Sequence, residues 1–133
     1  MTGVFADTSF YVALSNDRDV SHAAAMDFSA RYRGGIVTTE YILIELGNFL
    51  SRVGDRDVFL AVMDDLRSDP KTYVAPAGTG LFHDGLRLYA ARHDKEWSMT
   101  DCISFVVMRD HGLTEALTGD RHFEQAGFKA LLA

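Results

Sequence analysis

Four short apolar segments recur along this chain with helical patterns between them, and that alternation limits the fold more than any other feature. Residues 4–6, 36–38, 73–75 and 116–118 are short and strand-prone. Residues 21–32 open with a Ser cap and stop at Gly34-Gly35. Residues 39–53 place Ile42, Leu46, Phe49, Leu50 and Val53 at the spacing of one helix face. Residues 57–66, 81–91 and 100–111 continue the helical series. Strands separated by helices read as parallel neighbours, because parallel pairing needs a crossover. The pattern predicts an α/β fold, a three-layer α/β/α sandwich with a central, mainly parallel sheet and right-handed crossovers. In such a sheet ligands bind beyond the carboxyl ends of the strands, where the strand order reverses.

At 133 residues and 47% apolar composition, the chain is expected to form a single domain over residues 1–133. No apolar run approaches the roughly 18 residues of a membrane span, so no membrane partner is expected. The opening Met-Thr-Gly-Val-Phe-Ala-Asp lacks a basic region and meets an acid at once, so a secretory signal is not expected. Cys102 is the only cysteine, which rules out an intrachain disulfide and a cysteine zinc site and points to the reducing cytoplasm. A formal net charge of -6 argues against broad nonspecific binding of nucleic acid, unless several acids gather on a cation. Local basic groups must then supply the phosphate contacts.

Four acids stand where a site would form. Asp7 directly follows the first strand; an N-cap for the next turn is the plainer account of it. Glu45 shares a helix face with Tyr41, Ile42 and Phe49. A carboxylate in such company calls for an ionic partner such as Arg52, or for a metal. Asp101 opens the helical pattern at 100–111, with Phe105 and Met108 four and seven residues on, so it lies along the apolar stripe; helix-terminus electrostatics also suits it. Asp120 follows the last strand and doubles as a cap for residues 121–125. If the strands before Asp7 and Asp120 are neighbours, all four acids converge. Four carboxylates share a small volume only around a cation, and oxygen-only ligation selects Mg²⁺ or Mn²⁺.

These motifs, Asp7-Thr8-Ser9, Tyr41-Ile-Leu-Ile-Glu45-Leu46, Thr100-Asp101-Cys-Ile-Ser-Phe105 and Thr118-Gly-Asp120-Arg-His-Phe123, occur in an order that resembles the PIN domain. The ending Asp120-Arg-His-Phe-Glu-Gln-Ala-Gly-Phe128 is similar to that of VapC-type toxin ribonucleases of toxin–antitoxin pairs, and the resemblance runs from about Val4 to Phe128. It implies Mg²⁺- or Mn²⁺-dependent hydrolysis of RNA by an endoribonuclease, inhibition by a cognate antitoxin, and homodimerisation. By position, Asp7, Glu45, Asp101 and Asp120 take the catalytic and metal-ligand roles, with Thr8 and Ser9 as supporting polar groups. His122 departs from the pattern: many relatives carry a further acid or Asn there, so the resemblance implies a weaker second metal position.

The expected chemistry is in-line attack by water, with no protein nucleophile. Candidate RNA contacts are Arg121 and His122 beside Asp120. Arg92, His93 and Lys95 are more simply a solvated helix end. Trp97 either stacks a base or packs into the core. Met26, Met63, Met99 and Met108 read as core fill, and Cys102 as a small buried hydrophobe. Phe59, Leu60, Met63 and Leu66 exceed one narrow stripe and suggest a contact with a partner or a second copy. Phosphoryl transfer through an aspartyl intermediate would need a second Asp two residues after Asp7, where Ser9 stands. The remaining alternative is a PIN-fold protein-interaction module without catalytic activity.

Overall fold

The computed structural model describes residues 3–133. In chain order the elements are β1 (Val4–Ala6), α1 (Thr8–Ser15), α2 (His22–Arg31), β2 (Ile36–Thr39), α3 (Glu40–Phe49), α4 (Arg56–Ser68), β3 (Thr72–Ala75), α5 (Thr79–Ala91), α6 (Met99–Asp110), β4 (Glu115–Leu117), α7 (Arg121–Gln125) and β5 (Lys129–Ala130). All the strand pairs are parallel, in the order β3-β2-β1-β4-β5. The alternation of strands and helices thus produces the predicted α/β sandwich.

The chain steps outward from β1 to β2 and β3, then returns to the other side of β1 for β4 and β5. With right-handed crossovers, α1 to α4 cover one face of the sheet and α5 to α7 the other. The central strand β1 reads Val-Phe-Ala and is buried throughout, as a parallel strand covered on both faces must be. Phe5 lies opposite Val37 on one side and Ala116 on the other, and Ala6 lies opposite Leu117. The strand order therefore reverses at β1–β4, and a crevice opens at the carboxyl ends of that pair.

Aromatic side chains fill the core beneath this crevice. The Phe105 ring meets those of Trp97 and Phe123 edge-on, each at 5.0 Å between centroids. Trp97 is only 4% exposed, so it packs as a core residue and is not free to stack a base. Its indole N–H donates to Gln125 Oε1 at 3.0 Å, which ties the segment before α6 to α7. On the opposite face, Phe28 stacks on Tyr32 at 4.6 Å and meets Phe10 edge-on at 6.3 Å. Thr39 caps α3 by accepting the Ile42 amide at 3.0 Å, worth about 1 kcal/mol.

Several expectations need correcting. The segment after Asp7 is a full helix, α1, not a single turn; its eight residues are too few to show periodicity. Helix α3 ends at Phe49, and Val53 is wholly exposed. Strand β5 has two residues and carries no pattern of its own. Met108 is core, but Met26 is half exposed. Within α4, Phe59 and Leu66 pack against the core while Leu60 faces outward. Among the described residues, no helix is long and apolar enough to cross a membrane.

Helices α5 and α6 approach closely at Gly85. A Cβ there would stand 2.4 Å from Ile103 Cγ1 and 3.4 Å from the Ile103 backbone. Gly85→Ala improves helix propensity by about 1 kcal/mol. Overpacking against a β-branched side chain costs about 1–3 kcal/mol. The clash is expected to win, lowering the melting temperature by up to about 8 °C. A thermal melt in which Gly85→Ala matches or exceeds the natural protein would show that the helices separate without cost.

Candidate metal centre

Asp7 stands one residue beyond β1, at the N-cap position of α1, yet its side chain does not cap the helix. Its Oδ2 instead accepts the Thr118 hydroxyl at 2.8 Å and the Ser9 hydroxyl at 3.1 Å. Asp7 is 8% exposed, and burial is the main force lifting its pKa to about 6. Hydrogen bonds from Thr118, Ser9 and the Thr8 backbone oppose that rise, and the charge of Asp101 adds to it. Thr118, just past β4, is wholly buried, and its Oγ1 also accepts the Asp120 amide at 3.0 Å. One hydroxyl thus links the acids that follow β1 and β4.

Asp101 lies in the first turn of α6 and is 9% exposed. Ser98 caps this helix: its Oγ accepts the Asp101 amide at 3.0 Å, and Asp101 Oδ2 accepts the Ser98 amide at 3.1 Å. The helix-terminus account of Asp101 is therefore correct. The same oxygen also lies 2.9 Å from His122 Nδ1, so the residue serves the cap and the cluster together. Asp120 caps α7, accepting the His122 amide at 2.9 Å. Its Oδ1 is 3.5 Å from His122 Nδ1.

Glu45 corrects its own rationale. It is not buried among apolar neighbours: α3 turns Ile42 and Leu46 inward and leaves Ile44, Glu45 and Phe49 exposed. No ion pair with Arg52 forms among the described residues. Glu45 reaches the crevice by another route, because the buried Thr8 hydroxyl donates to its Oε1 at 2.5 Å. Glu45 therefore forms the rim of the site, and Asp7 and Asp101 its floor.

These side chains line one cleft of about 440 Å³, walled by Asp7, Thr8, Glu45, Ser98, Asp101, Asp120 and His122 among others. The ligating atoms of Asp101, Asp120 and His122 lie within 4.8 Å of one another. Hard oxygen donors on a partly buried floor, with Asp7 and Asp101 repelling each other, suit a divalent cation. Arg121 is exposed at the start of α7, beside the cleft. Arg92 is engaged elsewhere: it pairs with Asp94 at 3.0 Å and lies over the Trp97 ring at 4.9 Å.

Three contributors escape a reading of the sequence. Thr118 looks like the end of a strand, and only its place in Thr118-Gly119-Asp120 hints at more. Ser98 has the signature of a cap alone. Asp19 reaches the cleft from the α1–α2 loop while its Oδ1 accepts the Ser21 amide at 2.8 Å, and no local pattern marks it.

Comparison with known proteins identifies the family. The model of the PIN domain matches residues 4–129. The 23S rRNA-specific endonuclease VapC20 of Mycobacterium tuberculosis is 30% identical over 126 residues, covering 94% of this chain and 95% of the relative. The crystal structure of the M. tuberculosis VapC20, a sarcin–ricin loop cleaving toxin, superimposes with a TM-score of 0.85 at 28% identity, covering 95% of this chain and 96% of that one. The structure of FitAcB from Neisseria gonorrhoeae shares the fold, with a TM-score of 0.65 at 16% identity and 96% of both chains covered. This chain belongs to the PIN-domain family.

Proposed function

We propose that this protein is an endoribonuclease that hydrolyses RNA phosphodiester bonds with Mg²⁺ or Mn²⁺ held by Asp7, Glu45, Asp101 and Asp120. One observation carries the reading: acids from four separate elements line a single cleft at the reversal point of the sheet. Bound there, a hard dication supplies Lewis-acid stabilisation of phosphate charge and a more acidic water. The chain's own groups set the stage for it. Thr118 and Ser9 orient the Asp7 carboxylate, the Ser98 amide and the α6 cap fix Asp101, and Thr8 holds Glu45 at the rim. Ser9 is taken up by Asp7 and Thr118, which suits a polarising role rather than that of a nucleophile. Arg121, exposed at the start of α7, is the cation offered to the phosphate next to the scissile bond.

The likeness to VapC20 supports a toxin role in the cytoplasm, with a cognate antitoxin as inhibitor, and makes 23S rRNA the first substrate to try. Exposed apolar side chains support a homodimer. Phe82, Leu86 and Tyr89 form an exposed stripe on α5. Tyr41 shares a shallow recess with Phe82, and Ile44 follows Tyr41 by one helical turn on α3. This face replaces the one expected on α4. Light scattering is expected to give twice the 14.8 kDa chain mass, and Ile44→Glu with Phe82→Glu to give the monomer; a monomeric natural protein would refute the dimer.

Asp7→Asn and Asp101→Asn are each expected to fold and to lose at least about a hundredfold in RNA cleavage, as excess EDTA does to the natural protein. Arg121→Ala is expected to weaken RNA binding, by less as salt rises. Full activity of either Asp variant, or activity undiminished by EDTA, would sink the assignment.

Asp7 also makes a pH signature. Its pKa rises from 3.8 to about 6 on folding. Below pH 3.8 both states hold the proton, and no penalty arises. Between 3.8 and 6 the native state keeps a proton that the unfolded chain releases, so this contribution to stability falls as pH rises. Above that window the penalty is constant, on the order of 3 kcal/mol at most. Metal-free Asp7→Asn is therefore expected to melt above the natural protein at pH 7–8 and to lose that advantage near pH 4. Divalent cation is expected to stabilise the natural protein and leave the variant unmoved. Equal melting of the two metal-free proteins at every pH would show that Asp7 is not held ionised against its burial.

A further inference from the structure

His122 lies among the acids of the cleft. Its backbone is fixed by Asp120, its ring is one residue from the wholly buried Phe123, and α7 is pinned to Trp97 through Gln125. The imidazole is thereby aimed at two carboxylates, with Nδ1 at 2.9 Å from Asp101 Oδ2 and 3.5 Å from Asp120 Oδ1. Ligands about 2.1 Å from an octahedral dication stand about 3 Å apart when adjacent and about 4.2 Å apart when opposite. The two separations are those of adjacent ligands, and the whole set, within 4.8 Å, closes on one ion with small movements.

We infer that His122 Nδ1 is itself a ligand of the cation, which makes the Asp101–Asp120 side of the cleft a mixed nitrogen–oxygen site favouring Mn²⁺ over Mg²⁺. The inference rests on the metal-nuclease reading above and adds the identity of a donor and of the preferred ion. Ligation requires the neutral imidazole with its proton on Nε2, leaving the Nδ1 lone pair toward the carboxylates. Mg²⁺ takes oxygen donors and gains little from a nitrogen, whereas Mn²⁺ accepts imidazole more readily. The imidazole adds a donor without adding negative charge, so it raises the repulsion among Asp7, Asp101 and Asp120 by nothing.

Pulsed electron paramagnetic resonance of the Mn²⁺-loaded full chain tests this without relying on activity. Nitrogen-14 modulation from a directly bound imidazole is expected in the natural protein and is expected to vanish in His122→Ala. In calorimetry with each ion alone, His122→Ala is expected to weaken Mn²⁺ binding on the order of tenfold or more and Mg²⁺ binding by no more than about threefold. Mn²⁺ bound without nitrogen modulation would overturn the inference and leave the nuclease reading standing. So would equal losses for both ions, which mark a residue that only positions Asp101. Binding of Mg²⁺ without Mn²⁺ would overturn the inference alone, and binding of neither ion by the natural protein would overturn both together.

Discussion

The site depends on one buried hydroxyl. Thr118 lies past the end of β4 with none of its surface exposed, and its Oγ1 donates to Asp7 beyond β1 while accepting the amide of Asp120. That pair of bonds joins the two strands where the sheet reverses, and joins the two acids that follow them. Burial makes the contact matter: a carboxylate taken from water needs donors, and Thr118 and Ser9 supply them. Without them Asp7 would hold its proton more tightly still.

The same region sets stability against function. Asp7 costs the fold free energy in its ionised form, and Asp101 aggravates the cost. The aromatic cluster around Phe105 offsets it from below, because Phe123 packs under α7 and Trp97 anchors the approach to α6. Helices α6 and α7, which deliver Asp101 and Asp120, are therefore nailed to the core near those acids. Preorganisation of this kind keeps like charges together before a cation arrives, which flexible loops would not do.

Much of this was legible in the sequence because strand and helix periods are local. Val-Phe-Ala, Ile-Val-Thr-Thr and the apolar spacing through Ile42 and Leu46 announce their elements, and three of the acids stand at element ends where caps and sites both occur. What escaped was whatever depends on distance across the sheet. Thr118 acquires its role only when β1 and β4 pair. Asp19 arrives from a loop whose path no pattern encodes. The spacing around Glu45 predicts a burial it does not have; its link to the site is Thr8, 37 residues earlier. Trp97 was ambiguous for the same reason, since only the Phe105 and Gln125 contacts settle which side of the surface it takes.

The acidic balance of the chain also constrains how substrate is held. At a net charge of -6, the long-range field opposes RNA, so the protein gains little from the counterion release that drives binding to basic surfaces. Attraction must come at short range, from a dication in the cleft and from single cations at its edge. A binding mode built on few ionic contacts leaves discrimination to shape, because an RNA whose backbone does not reach the cleft finds no other strong anchor.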